Sequence, residues 1–135
     1  MTLSELVIKH EGLRLDLYKD SVGVNTIGVG RNLDANGISE DEAMLMLSND
    51  LRRTERELEA FSFARYLNEP RRIALCSMLF NLGLSRFTRF KLMIAALEAK
   101  SWDAAAQEML NSKWADQVGT RATELATIMR TGHVD

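Results

Sequence analysis

The chain has 135 residues, of which 46% are hydrophobic and 27% charged, and its formal net charge is -2. This composition argues against disorder, and the length can bury a core without disulfides or a metal. The slightly acidic balance gives no broad basic field for nucleic acid, although arginine is locally dense in the middle and C-terminal segments.

Export and membrane signals are missing from the sequence. The N-terminal residues lack the basic start and long apolar stretch of a secretory signal, and no segment approaches the roughly 20 apolar residues of a membrane span. Cys76 is the single cysteine, so it cannot form an intramolecular disulfide, and its apolar neighbours indicate a small buried side chain. We expect synthesis in a cytoplasm, no membrane insertion, and no metal or other cofactor.

The first residues carry helix signals. Thr2 and Glu5 have the spacing of a capping box, and apolar residues then follow at helical intervals. Gly12 suits a helix end because glycine readily adopts the left-handed conformation there. These signals predict a helix over residues 3–11.

A β-hairpin is predicted next. Leucines at 13, 15 and 17 alternate with polar residues, which indicates a strand with one covered face. Residues 19–23 are a polar turn, and the β-branched, glycine-rich residues 24–30 predict the returning strand. Residues 34–37 form another turn, whose two potential calcium oxygens lack EF-hand spacing.

The remaining chain has helical patterns. Ser39 and Glu42 form a second capping box before a long helix that ends near residue 60, and Pro70 fits the first turn of the next helix. Together these elements predict an α+β, mostly helical protein with one domain, residues 1–135. It has a β lobe at about 12–38 and a helical lobe of 1–11 and 39–135.

Three polar side chains near the predicted hairpin suggest chemistry. Glu11 ends the first helix, where unpaired carbonyls disfavour a carboxylate and favour the protonated form that a general acid needs. Asp20 in the turn would stay ionised and could orient water, and the hydroxyl of Thr26 could hold the same water. Each residue alone also has an ordinary structural explanation, but the combination is what glycosidic-bond hydrolysis requires.

The spacing of these residues is specific, and matching motifs continue through most of the chain. They are Glu11-x8-Asp20-x5-Thr26-Ile27-Gly28-Val29-Gly30, Phe80-Asn81-Leu82-Gly83, Trp102-Asp103-x-Ala105-Ala106, Trp114, Arg121-Ala122 and Arg130-Thr131-Gly132. On these residues the chain resembles the phage-type lysozymes of glycoside hydrolase family 24, with a shorter stretch between the hairpin and the long helix than in the T-even phage enzyme.

The resemblance implies a lysozyme-like fold and a muramidase, or endolysin, of phage origin. Such an enzyme cleaves the β-1,4 bond between N-acetylmuramic acid and N-acetylglucosamine in peptidoglycan with inversion and lyses the host cell. It implies Glu11 as proton donor, with Asp20 and Thr26 placing the attacking water. Arg121 matches the arginine that pairs with the catalytic glutamate. The implied enzyme is a monomer that binds glycan strands without a cofactor and needs a holin for release to the wall.

Other matched positions concern substrate binding. Phe80 and Asn81 correspond to residues lining the cleft, although Phe80 is equally compatible with the core. Asn32 falls where the T-even enzyme has a leucine at a sugar contact, and fine substrate preference is therefore open. Arg31 stands where the family commonly has a histidine, whose aspartate partner corresponds to Asp50, so we predict an Arg31–Asp50 ion pair.

Two further family positions differ. Phe90 replaces a serine and Glu108 an asparagine at sugar contacts, and these differences concern substrate preference rather than the reaction. Three other functions remain open from the sequence alone: a lytic transglycosylase, an inactive peptidoglycan-binding module and a DNA-binding helical protein. The presence of both Asp20 and Thr26 favours hydrolysis, and the acidic balance disfavours DNA.

Overall fold

The computed structural model describes residues 1–134. Over this range the protein is mostly helical with one small antiparallel sheet, which confirms the predicted α+β, lysozyme-like class. The contacts divide the chain into a first unit, Met1–Met46, and a second unit that begins at Leu47. The single domain with a β lobe at about 12–38 stays a prediction.

The first unit holds the predicted helix and hairpin. Its elements are α1 (Leu3–Glu11), β1 (Arg14–Lys19), β2 (Asn25–Gly28), β3 (Arg31–Asn32), α2 (Leu33–Asn36) and the start of α3 (Glu40–Glu59). The capping box of α1 is confirmed, because the Glu5 N–H donates to Thr2 Oγ1 at 3.1 Å and the Thr2 N–H to Glu5 Oε2 at 3.0 Å. The predicted turn over 34–37 is mostly the short helix α2, with Gly37 after it at φ 54°.

The sheet has the strand order β1-β2-β3, and both strand pairs are antiparallel. Tyr18 lies opposite Thr26, and Thr26 lies opposite Asn32. The alternating leucines of the first strand predicted a covered face, and this was wrong. Leu15 is 82% exposed, and Leu13 and Leu17 are exposed as well, because alternation reports a strand but not whether another element lies over it.

The second unit is helical. After the rest of α3 come a 3₁₀ turn (Ser62–Tyr66), α4 (Glu69–Leu82), α5 (Leu84–Phe87), α6 (Lys91–Glu98), α7 (Trp102–Leu110), α8 (Lys113–Val118) and α9 (Thr120–Thr131). Pro70 lies in the first turn of α4, as predicted, and the side chain of Asn68 caps that helix by accepting from the Arg71 N–H.

The hydrophobic core belongs to the second unit. Helices α4 and α7 both pack against α9, and α6 packs against α7. Their facing side chains are fully buried, among them Leu75, Met78, Leu97, Met109 and Met129. Among the helices within residues 1–134, none is long and apolar enough to cross a membrane.

Candidate active site

Glu11 is the last residue of α1, and Gly12 stops the helix at φ 77°. The Gly12 N–H still donates to the Ile8 carbonyl at 2.8 Å, so the helix end is well defined. The Glu11 carboxylate lies against Gly30 in the loop between β2 and β3. Its Oε2 is 2.8 Å from the position that a Cβ on residue 30 would take. The local fold therefore brings the proposed acid to the glycine-rich end of the hairpin.

Asp20 closes the hairpin turn directly after β1. Its Oδ1 accepts from the Val22 and Val24 N–H groups, both at 2.9 Å, and its own N–H donates to the Val24 carbonyl at 2.9 Å. These bonds fix the side chain in a single orientation. Because both side-chain bonds use Oδ1, Oδ2 remains open as an acceptor within this unit.

Thr26 lies in β2 and is one of the few buried polar residues, with 5% exposure. Its hydroxyl donates to the Val24 carbonyl at 2.8 Å. This leaves the oxygen lone pairs as acceptors that a water molecule could use. The same carbonyl accepts from the N–H of Asp20, so one backbone group joins the two residues.

Asn32 lies opposite Thr26 in the neighbouring strand. Residues in such cross-strand pairs have Cβ atoms about 5 Å apart on one face of the sheet. The Asn32 Oδ1 accepts from the Ala35 N–H at 2.9 Å and caps α2, so only its amide NH₂ is left to donate. Its role in substrate binding stays a prediction.

Arg31 has a different partner from the one predicted. Its guanidinium makes two bonds to Glu42, at 2.9 and 2.6 Å, and a third to the Gly37 carbonyl at 3.0 Å. Arg31, the Ser39 N–H and the Ser39 hydroxyl, in that order, lower the pKa of Glu42 to about 2. The predicted Arg31–Asp50 ion pair is thus corrected to Arg31–Glu42. Asp50 instead accepts from Arg53, one turn later in α3, at 3.0 Å.

A second pair, which the sequence pattern does not predict, lies at the base of the hairpin. Asp34 accepts from both the backbone N–H and the side-chain amide of Asn25, each at 3.0 Å. These bonds lower the pKa of Asp34, the backbone bond having the larger effect. Asp34 is therefore occupied as an anchor for β2. Residues 1–134 contain no group of three or more metal-type ligands.

In the second unit, Asn81 and Trp114 contact each other. The indole N–H of Trp114 donates to Asn81 Oδ1 at 2.8 Å, and Trp114 is 4% exposed, so it is a packing residue. Phe80 is 43% exposed and so is not a core residue. Arg121 is an exposed residue in the first turn of α9. Substrate binding by Phe80 and Asn81, and the Glu11–Arg121 pair, stay predictions.

Comparison with known protein families decides the class. The family model described as Phage lysozyme matches residues 8–130, which include all three candidate catalytic residues. The chain belongs to the phage lysozyme family. It is accordingly a glycosidase-type hydrolase of the lysozyme kind.

Two of the three relatives described next are named as an endolysin or a lysozyme. The endolysin of Salmonella phage P22 is 34% identical, over 76% of this chain and 74% of the endolysin. Probable T4-type lysozyme 1 of Dictyostelium discoideum is 26% identical, over 97% of this chain and 95% of the relative. The pre-baseplate central spike protein Gp5 of Enterobacteria phage T4 is 27% identical over 100% of this chain, but the chain spans only 28% of that protein.

Proposed function

We propose that this member of the family is a muramidase. It hydrolyses the β-1,4 bond between N-acetylmuramic acid and N-acetylglucosamine in bacterial peptidoglycan, inverts the anomeric carbon, and acts as an endolysin that lyses the cell. Family membership and the relatives named as lysozymes and endolysins support the substrate class. It would act as a monomer that reaches the wall with the help of a holin-like partner.

Glu11 is the proton donor in this proposal. Protonated Glu11 gives its proton to the glycosidic oxygen as the bond from that oxygen to the anomeric carbon breaks, so the leaving sugar departs as a neutral alcohol. The position of the carboxyl group beside Gly30 supports this role, because it places the acid next to the hairpin. Arg121 would pair with Glu11 after the proton has left.

Asp20 and Thr26 would position the attacking water. The observation that carries the proposal is that the side chains of Asp20 and Thr26 are each held by hydrogen bonds within the hairpin and still have a free acceptor. In this proposal one water donates hydrogen bonds to Asp20 Oδ2 and to the Thr26 hydroxyl oxygen, which the anchoring bonds leave available as acceptors. The water oxygen bonds to the anomeric carbon, and its proton passes to the Asp20 carboxylate, while the sugar inverts.

A lytic transglycosylase is the second candidate. Such an enzyme needs the acid but closes an anhydro ring without a nucleophilic water. The open acceptor atoms of Asp20 and Thr26 would then have no water to position, so their presence in the hairpin favours hydrolysis. An inactive peptidoglycan-binding module is a third candidate, and the retention of all three polar residues disfavours it.

Digestion of purified sacculi tests the proposal. Mass spectrometry of the soluble muropeptides should find reducing sugar ends, and digestion in ¹⁸O-labelled water should place the label at the new reducing end. Glu11→Gln should remove activity by a factor of 10² or more, since an amide cannot protonate the leaving oxygen. Glu40→Gln is the control, because Glu40 is an exposed carboxylate of the same unit.

The products and the binding behaviour distinguish the candidates. Labelled reducing ends support the muramidase, and the α-anomer as first product, seen by NMR, supports inversion. Anhydro sugars would instead identify a transglycosylase. Wild-type protein that binds sacculi but releases nothing would identify a binding module, and a folded Glu11→Gln variant with full activity would remove Glu11 from the mechanism.

A further inference from the structure

Arg14 is stacked on the ring of Tyr18 in strand β1. The guanidinium carbon is 4.2 Å from the ring centroid, a cation–π distance. The stacking holds the flexible arginine side chain in place while the edge of the guanidinium, with its N–H donors, remains exposed. A planar, held guanidinium of this kind matches a carboxylate, which it can bind through two parallel hydrogen bonds.

The pair lies on the same face of the sheet as the proposed water site. Tyr18 is directly opposite Thr26, and Arg14 is opposite Gly28, two residues further along the same strand as Thr26. The register is irregular between Arg14 and Tyr18, so the face of Arg14 follows from its guanidinium, which lies over the Tyr18 ring. Tyr18, Thr26 and Asn32 thus form one row across the three strands, and Arg14 extends that face towards the Glu11 side of the hairpin.

The charge of Arg14 is unusual in its surroundings. Acidic residues outnumber basic ones in residues 1–46, where the basic residues are Lys9, Arg14, Lys19 and Arg31. Arg31 is already bound to Glu42. Among the described residues of the first unit, no carboxylate forms a salt bridge with Arg14. An anionic substrate approaching the ionised Asp20 would meet a like charge, and Arg14 is a fixed cation on the same face that offsets this repulsion.

We propose that Arg14, held by Tyr18, binds a carboxylate of the peptide stem that peptidoglycan carries on its muramic acid. Arg14 is a substrate-binding residue here, and Tyr18 positions it. The inference rests on the proposed function for its substrate. It adds a preference for glycan strands that bear free peptide carboxylates over strands in which these groups are neutral.

Sedimentation with sacculi tests the preference without requiring turnover. The Glu11→Gln variant is mixed with intact sacculi and with sacculi whose carboxyl groups have been amidated. It should bind the intact sacculi about tenfold more tightly, since amidation removes the charge-assisted, two-bond pairing of the guanidinium with a carboxylate. Adding Arg14→Gln should abolish the preference. Arg14→Lys keeps the charge but not the planar set of N–H donors, and it should retain part of the preference.

The matched control is Arg65→Gln. Arg65 also lies over a tyrosine, 5.0 Å from the ring centroid of Tyr66, but it belongs to the second unit. Its replacement removes the same charge and the same kind of stacking and should leave the preference intact. Equal loss of preference in the Arg65 and Arg14 variants would show that the preference for intact sacculi comes from net charge alone, and it would overturn the inference.

Two further measurements separate the possible failures. Equal binding of intact and amidated sacculi by a protein that still hydrolyses them would overturn the Arg14 inference and leave the muramidase proposal standing. Glycan strands that an amidase has freed of peptide keep only the lactyl carboxylate. If their binding still depended on Arg14, the contact would move to the lactyl group and the peptide-stem assignment would be wrong.

Discussion

The Glu11 carboxylate occupies the space in which residue 30 would carry a side chain. Oε2 lies 2.8 Å from an ideal Cβ on Gly30, and the two carbons before it lie at 3.1 Å. Real Cβ atoms almost never approach other atoms below 3.0 Å. The glycine is therefore required twice, once for its φ of 66° and once for the space it leaves to the acid.

Gly30→Ala should impair both stability and catalysis. The positive φ alone costs about 1–3 kcal/mol for a residue with a Cβ. The added methyl group also displaces the Glu11 carboxylate, and we expect a further loss of about tenfold or more in kcat, since misplacing a catalytic group lowers the rate steeply. Activity on sacculi should be measured at a temperature at which the variant is fully folded.

Gly37→Ala is the control for this prediction. Gly37 also has a positive φ, 54°, but no atom lies within 4 Å of its Cβ position. This variant should lose stability and keep its activity once folded. If the folded Gly30→Ala variant kept wild-type kcat, the contact between residues 11 and 30 would have no catalytic meaning.

Local signals explain why much of the first unit could be predicted. Thr2 and Glu5 indicated the start of α1 and Gly12 its end, because capping depends on residues within one helical turn.

The partner of Arg31 could not be predicted from local signals of this kind. Asp50 and Glu42 both lie on α3, and no sequence rule relates a strand to the turn of a helix that faces it. The one available signal was the position of Glu42 in the capping box with Ser39, which brings its carboxylate back towards the preceding loop.

The substrate side was less predictable. No local pattern connects Asn81 with Trp114, since 33 positions separate them and the bond depends on how α4 packs against α8. In the hairpin, the spacing of Arg14 and Tyr18 was visible, but their stacking required the irregular register of β1 against β2 between these residues.

Asp20 stabilises the hairpin turn and has a proposed role in catalysis, and two substitutions can separate these roles. Asp20→Asn keeps an oxygen that can accept from the Val22 and Val24 N–H groups, so stability should change by less than about 0.5 kcal/mol. Activity should fall by a factor of about 10² or more, because an amide neither accepts the proton of water nor stabilises positive charge on the sugar. Asp20→Ala should lose activity and also about 1–2 kcal/mol of stability. Thermal unfolding and sacculus digestion on the same preparations check this, and an active Asp20→Asn enzyme would contradict the proposed role.

The Arg31–Glu42 pair should make stability depend on pH in the acid range. The pKa of Glu42 is lowered from 4.5 to about 2 in the folded protein, so folding favours its ionised form. The resulting stabilisation is fully present above about pH 4.5 and is lost as pH falls towards 2. In urea unfolding at pH 6, 4, 3 and 2, Glu42→Gln should be less stable than wild type at pH 6, and the difference should shrink at pH 2. Glu40→Gln lies in the same first turn of α3 and should show no such convergence, whereas a constant difference for Glu42→Gln would show that its charge is not what stabilises the fold.

Arg71 lies in the first turn of α4 and binds the C-terminal end of α9. Even a conservative change to lysine should therefore lower the stability of the protein. Its Nε donates to the Met129 carbonyl at 2.7 Å and its Nη2 to the Arg130 carbonyl at 3.2 Å, so both bonds go to backbone carbonyls at the C-terminal end of α9. The guanidinium also lies 4.5 Å from a ring centroid of Trp102. Lysine cannot make both bonds and stack at once, so Arg71→Lys should lower the free energy of unfolding by about 2 kcal/mol. Arg72→Lys is the neighbouring control, because Arg72 forms a single ion pair with Glu59 that lysine can keep, and it should change stability by less than about 0.5 kcal/mol. Equal losses in the two variants, measured by urea unfolding at neutral pH, would show that the bonds to α9 do not distinguish Arg71 from an ordinary surface arginine.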